Sequence, residues 1–290
     1  MKAIIFGVSG QDGHYLTEIC RENSVEVFGV SRSAGKWIAG DVASFEFVDQ
    51  IVRDIRPDYI FHLAANSTTQ HEALLENHSA IVIGAFNILD SATRHTPNAR
   101  IFLCGSGLQF KNTGNPISEN DIFEARDAYS VARIQSVYLA RYYRLLGAKV
   151  YIGYFFNHDS PLRTERHVNQ KIASAIKRIA TGSREKLLIG NMKVMKEFSF
   201  ARDIMQAVWL LVNQDVISEV VVGSGIAYSI EDYAKACFSR VNLNYLDHVE
   251  EEEGFSPDYK ILISSPKLIM NLGWSPKFDF NGLIDIMMRT

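Results

Sequence analysis

Ala3-Ile4-Ile5-Phe6-Gly7-Val8-Ser9-Gly10-Gln11-Asp12-Gly13 opens on four apolar residues and closes on three glycines spaced by three. A short apolar run ahead of such a loop reads as a buried strand, and the stretch behind it, Gly13 to Asn23, as a helix. Strand, glycine turn and helix start together make a cradle for a pyrophosphate. Positions without side chains let the backbone turn tightly and come close, and the negative charge then faces the helix N-terminus. Gly7, Gly10, Gln11, Asp12 and Gly13 are therefore the first candidate cofactor contacts, for a nicotinamide dinucleotide.

Outward from this loop the same rhythm repeats. Glu26–Val30, Tyr59–Leu63, Ile101–Cys104 and Lys149–Phe155 are short β-branched or aromatic runs. Helix-period stretches lie between them at Ser44–Ile55, Ser79–His95 and Tyr129–Leu146, and Pro57 and Pro97 stand where a helix has ended. The alternation predicts an α/β fold, a Rossmann-type doubly wound parallel sheet with right-handed connections. After Phe155 the rhythm loosens. A helix is expected over Val168–Ala180, a strand over Leu187–Ile189, a helix over Arg202–Val212, and one short helix between Pro266 and Pro276. The expected division is a dinucleotide-binding domain over residues 1–155, rejoined by about 201–225 through Glu219–Val222, and a smaller C-terminal substrate-binding lobe over 156–290. Glu250–Glu253 reads as a solvated face.

The bulk composition narrows the function. The chain has 290 residues, 47% hydrophobic and 22% charged, the balance of a globular protein with a sizeable core. A net charge of −3 supplies no field to gather nucleic acid, so any phosphate affinity is local. Cys20, Cys104 and Cys237 lie far apart in apolar stretches and read as buried reduced thiols. His14, His62, His71, His78 and His158 lack ligand spacing, and no metal is expected. The first residues form a strand-like run with no basic leader, and no apolar run approaches the ~18 residues of a membrane span. The expected location is cytoplasmic.

Gly29-Val30-Ser31-Arg32-Ser33 ends the second strand without the acidic residue that holds a ribose diol in NAD-selective sites. Arg32 and two serines suit a 2′-phosphate instead, so the expected cofactor is NADP(H), with NAD(H) as the alternative. Asp41, Val42, Leu63, Ala64 and Ala65 stand at strand ends, placed to line the adenine and nicotinamide-ribose sides of the crevice. Ser106 follows the strand Ile101–Cys104, and Tyr129 and Arg133 share one helical face four residues apart. Arg133 puts a fixed positive charge one turn from the phenol and can hold a ribose hydroxyl. Ser106 can then anchor a substrate oxygen while Tyr129 passes a proton, an arrangement suited to hydride transfer at a carbonyl.

Together these stretches resemble the extended short-chain dehydrogenase/reductase family, and within it the branch of GDP-mannose 4,6-dehydratases and GDP-4-keto-6-deoxymannose reductases. The resemblance runs through Gly7–Gly13, Pro57-Asp58 with His62–Ala65, Tyr129–Arg133, Phe156–Pro161, Leu188–Asn191 and Gly273–Pro276. It implies a nucleotide-sugar substrate held by Asn157, Lys171 and Asn191, and a homodimer joined through helices, with which the aromatic-rich stretch of Tyr138, Tyr142 and Tyr143 is compatible. Three departures stand out. Ser106-Gly107-Leu108 replaces the family's Thr-Ser-Glu, so a leucine stands where the dehydratases have their eliminating carboxylate. Arg133 replaces the lysine of YxxxK and cannot release a proton at neutral pH. Ser256-Pro257 replaces an Arg-Pro pair that grips the diphosphate, leaving Lys196 and Lys260 as substitutes. The expected function is an NADP(H)-dependent reductase of a nucleotide-linked, GDP-type 4-keto sugar. The alternatives are a GDP-mannose 4,6-dehydratase-like enzyme using another base, or a catalytically silent dinucleotide-binding protein.

Overall fold

The computed structural model describes residues 1–289 apart from Ala34 and Ser67. β1 (Lys2–Phe6) leads through the glycine loop into α1 (Gln11–Glu22), and then come β2 (Glu26–Ser31), β3 (Ile38–Ala39), α2 (Phe45–Ile55) and β4 (Tyr59–His62). α3 (Leu74–Asn77) and a π-helical segment, His78–Ile83, run into α4 (Gly84–His95). β5 (Arg100–Ser106), α5 (Ala128–Leu145) and β6 (Lys149–Phe155) complete the first half. The later elements are β7 (His158–Asp159), α6 (Val168–Ala180), β8 (Leu187–Ile189), β9 (Met195–Glu197), β10 (Ser199–Phe200), α7 (Ala201–Val212) and β11 (Glu219–Val222). The chain ends with β12 (Ala227–Ser229), α8 (Ile230–Ser239), β13 (Val249–Glu251), β14 (Ile261–Leu262), α9 (Lys267–Asn271) and α10 (Phe280–Met288).

Seven strands form one parallel sheet in the order β11-β6-β5-β4-β1-β2-β3. Alternate side chains of each central strand enter opposite cores, which is why these strands read as continuous apolar runs. Ile4 and Phe6 of β1 join Ile60, Ile101 and Leu103 under α2, α4 and α5. Ala3 and Ile5 point the other way, with Phe61 and Phe102, under α1 and α7. A third core belongs to the later elements, where Ile172, Ile176, Tyr233, Phe238, Leu283 and Met287 pack together.

Helix starts follow side-chain chemistry. The Ser44 hydroxyl accepts from the Phe47 N–H at the start of α2, and the Asp127 carboxylate accepts from the Tyr129 and Ser130 N–H groups at the start of α5. α9 is the short helix expected between Pro266 and Pro276, whereas α8, α10 and the small sheet β12-β9-β14 are additions that the sequence pattern does not announce. Among the described residues, no helix is long and apolar enough to cross a membrane.

Candidate active site

The glycine loop packs for two different reasons. Gly7 has φ +88°, and a Cβ there would come within 2.6 Å of the Ala64 nitrogen. At Gly13 a Cβ would lie 2.5 Å from the Gly7 carbonyl oxygen, so strand and helix approach closely only because both positions are bare. Gly10 differs, since a Cβ there would meet nothing nearer than 3.5 Å. Its bareness keeps space free on the cavity side. Gly10 is also the N-cap of α1 and makes no side-chain cap bond, leaving the first turn free to receive an anion.

Beside this loop is a crevice of about 540 Å³. Gly7, Gly10, Arg32, Asp41, Val42, Leu63, Ala64 and Ala65 of the sequence-derived set all line it. Gln11 turns away instead, its amide donating to the His158 carbonyl at 3.3 Å and accepting from Ser160 Oγ at 2.8 Å. Arg32 is not free. Its guanidinium donates to Glu76 Oε1 at 3.0 Å, and Asn66 Nδ2 donates to Glu76 Oε2 at 2.8 Å. These two bonds hold the Glu76 carboxyl below the usual range.

Leu63 also lines a second cavity, about 340 Å³, which brings together Ser106, Tyr129, Arg133, Asn157 and Lys196. β5 delivers Ser106 at its C-terminal end, and the Asp127 cap sets Tyr129 in the first turn of α5. Ser106 Oγ accepts from the Leu108 N–H at 3.2 Å, so its own proton stays available. Arg133, buried to 4% exposure, donates through Nη1 to the Cys104 carbonyl at 2.7 Å. Its guanidinium carbon lies 5.0 Å from the Tyr129 ring centre, and its Nε has no hydrogen-bond partner among the described residues. Burial, and then Arg133, push the neighbouring His62 down to about 4, so that imidazole stays neutral. The bare Gly10, the uncapped helix start and the unpartnered Arg133 Nε all fit a dinucleotide lying across the two cavities. Leu108 is in the chamber wall.

Several chamber residues escaped the sequence reading. His158, one of the scattered histidines, donates through Nδ1 to the Phe156 carbonyl at 2.8 Å and faces the Asp12 carboxylate through Nε2 at 3.1 Å. Both neighbours are acceptors, so both ring nitrogens carry protons. Burial opposes that charge, yet Asp12 outweighs it and raises the His158 pKa. Burial likewise opposes the ionised Asp12, which His158 holds below its ordinary value. Arg163 and His167 add to the same wall, with Arg163 Nη1 3.2 Å from His167 Nε2. Two expected substrate residues are elsewhere. Lys171 Nζ donates to the Leu188 carbonyl at 2.6 Å, and Asn191 Oδ1 accepts from the Lys193 N–H at 2.8 Å. Neither lines the chamber.

A sequence model of the GDP-mannose 4,6 dehydratase family matches residues 4–287. The chain belongs to the GDP-mannose 4,6 dehydratase family. Among its relatives, the Arabidopsis thaliana GDP-mannose 4,6 dehydratase 1 is 29% identical, over 99% of this chain and 88% of that protein. Two solved structures share the fold. The dTDP-glucose 4,6-dehydratase of Bacillus anthracis in complex with NAD superposes with a TM-score of 0.87 at 12% identity, over 99% of this chain and 95% of the other. RMD from Pseudomonas aeruginosa complexed with NADPH gives 0.86 at 17% identity, over 99% and 96%. The family match thus backs the dehydratase alternative above the reductase reading placed first from the sequence.

Proposed function

We propose that this member of the GDP-mannose 4,6 dehydratase family is an NAD(P)-dependent enzyme acting at C4 of a GDP-linked hexose, as a 4,6-dehydratase in the first place. The family match over residues 4–287 carries this reading. In it, residues 1–155 hold the dinucleotide and residues 156–290 supply most of the sugar-nucleotide contacts. When bound, the nicotinamide supplies a hydride acceptor and donor. Proton handling falls to the chain. Ser106 donates to the C4 oxygen, Tyr129 takes and returns the C4 hydroxyl proton, and Arg133, pinned by Cys104, keeps a permanent cation beside the phenol and offers donors to a ribose hydroxyl. Asn157 and Lys196 meet the nucleotide diphosphate, with Lys196 buried at 7% exposure on the chamber wall. Lys171 and Asn191 are left out, because neither lines the chamber.

Removing water across C5 and C6 also needs an acid and a base. With Leu108 in the wall, they come from His158 and Asp12, an imidazolium and a carboxylate that already face the cavity. A second reading, reduction of a ready-made 4-keto sugar, is favoured by Leu108 alone, since reduction requires no elimination base. Mass spectrometry separates the two: water loss from GDP-mannose with NAD(P)⁺ supports the first, and NADPH consumption with GDP-4-keto-6-deoxymannose the second. Tyr129→Phe should lower either rate by about 10²–10⁴-fold while leaving dinucleotide affinity in place. A fully active Tyr129→Phe would remove Tyr129 from the reaction.

The homodimer belongs to this proposal too. Ile83, Phe86, Tyr138, Tyr142 and Leu145 expose apolar side chains on α5, at the end of the π-helical segment and at the start of α4, suited to a matching face on a second copy.

A further inference from the structure

The crevice beside the glycine loop has two lips of opposite charge that touch. On one side stand Ser31, the last residue of β2, and Arg32 and Ser33 just after it, a set suited to a phosphate. On the other, Glu76 projects from α3 into the same crevice lining. Arg32 Nη1 lies 3.0 Å from Glu76 Oε1, and Asn66, from the loop after β4, fixes the second carboxylate oxygen at 2.8 Å. Three separate segments therefore meet in one small network at the adenosine end. The cation that would recognise a 2′-phosphate is already neutralised by a carboxylate.

We propose that Glu76 is the residue that sets the choice between phosphorylated and unphosphorylated dinucleotide, by occupying Arg32 and placing a negative charge where the 2′-substituent arrives. The inference rests on the dinucleotide reading of the crevice given above. A 2′-phosphate must displace a carboxylate from Arg32 and bring two further negative charges beside it. A 2′-hydroxyl donates as well as accepts, and is compatible with a carboxylate lip. Arg32 thus confers little preference for NADP(H) while Glu76 is ionised. The Arg32 and Asn66 bonds keep it ionised through the physiological range.

Glu76→Gln tests this directly, because the amide oxygen still accepts from Asn66 while the charge is gone. Glu76 is exposed, on a four-residue helical turn, so folding is not at stake. Titration calorimetry with NADH and NADPH should show NADPH binding about tenfold tighter in Glu76→Gln and NADH binding changed less than about twofold. Glu76→Ala should behave the same way. Arg32→Ala should cancel the gain in the Glu76→Gln background and move NADPH affinity by less than about threefold in the native one. If both cofactors bind and their ratio is unmoved by Glu76→Gln, the proposal fails while the dinucleotide reading stands. A gain that survives Arg32→Ala also overturns it. Absence of binding by either cofactor to the native protein overturns the dinucleotide reading and this proposal with it.

Discussion

Leu108 lies between two readings of the chemistry, and its surroundings make a prediction possible. It is partly buried against the core under α5 and lines the chamber beside Ser106. Leu108→Glu would put a carboxylate into that wall next to a serine whose hydroxyl is free to donate. If the chamber performs elimination, the rate of water loss from GDP-mannose should rise at least several-fold, measured by product mass. A rate that stays level or falls would show that the wall residue does not limit elimination. The gathering of Ser106, Tyr129 and Arg133 in one chamber is legible in the sequence because each sits at the end of a strand or in the first turns of a helix, where local pattern fixes direction. The pairing of Asp12 with His158 is not, because it spans 146 residues and only the fold brings a carboxylate to that imidazole. Arg32 and Glu76 illustrate the same limit, since the composition of a strand end does not reveal what faces it. The place of Lys171 in a matching segment points to a substrate contact, yet the fold sets its ammonium against the Leu188 carbonyl, outside the chamber lining.

At the scale of elements, α5 is the part the candidate site depends on most. Its first turn carries Tyr129, and its far end is tied to the sheet through Glu219 at the start of β11. Glu219 accepts from Arg141 at 2.8 Å, from Arg144, and from the Tyr154 hydroxyl on β6. Burial raises its pKa, but the hydrogen bonds from Arg141, Tyr154 and Arg144 prevail and hold it down to about 2. A carboxylate depressed from 4.5 to about 2 stabilises the fold above pH 4.5, by on the order of 3 kcal/mol, and that contribution disappears as pH falls toward 2. Glu219→Gln should therefore lower the melting temperature at neutral pH and flatten its decline between about pH 4.5 and 2. An unchanged acid limb in thermal melts would contradict the assignment. Elements with strong periods are readable to within a residue or two, as with Val168–Ala180 and with α5, expected over Tyr129–Leu146. α8 was missed although Ser229 and Asp232 make a capping box at its start. β9, β12 and β14 have two or three residues each and offer no period to read.

Across the whole molecule, the parallel sheet places the crevice at the carboxyl ends of its strands, and β7 and β9 carry His158 and Lys196 to the same place. The proposed dimer contact uses the exposed apolar side chains of α5, the π-helical segment and the start of α4. Phe86→Glu with Tyr138→Glu should convert a dimer to a monomer in sedimentation analysis with little loss of melting temperature. A native protein that sediments as a monomer at micromolar concentration would contradict the dimer. The central claim, that the joined crevice and chamber perform nicotinamide-dependent chemistry on a GDP-hexose, is tested most directly by incubating the protein with GDP-mannose and NAD(P)⁺ and weighing the products. The expected product is a GDP-linked sugar lighter by one water, formed by the native chain and at least about 10²-fold more slowly by Tyr129→Phe. Recovery of GDP-mannose unchanged, with bound dinucleotide and no reduction of GDP-4-keto-6-deoxymannose by NADPH, would contradict it.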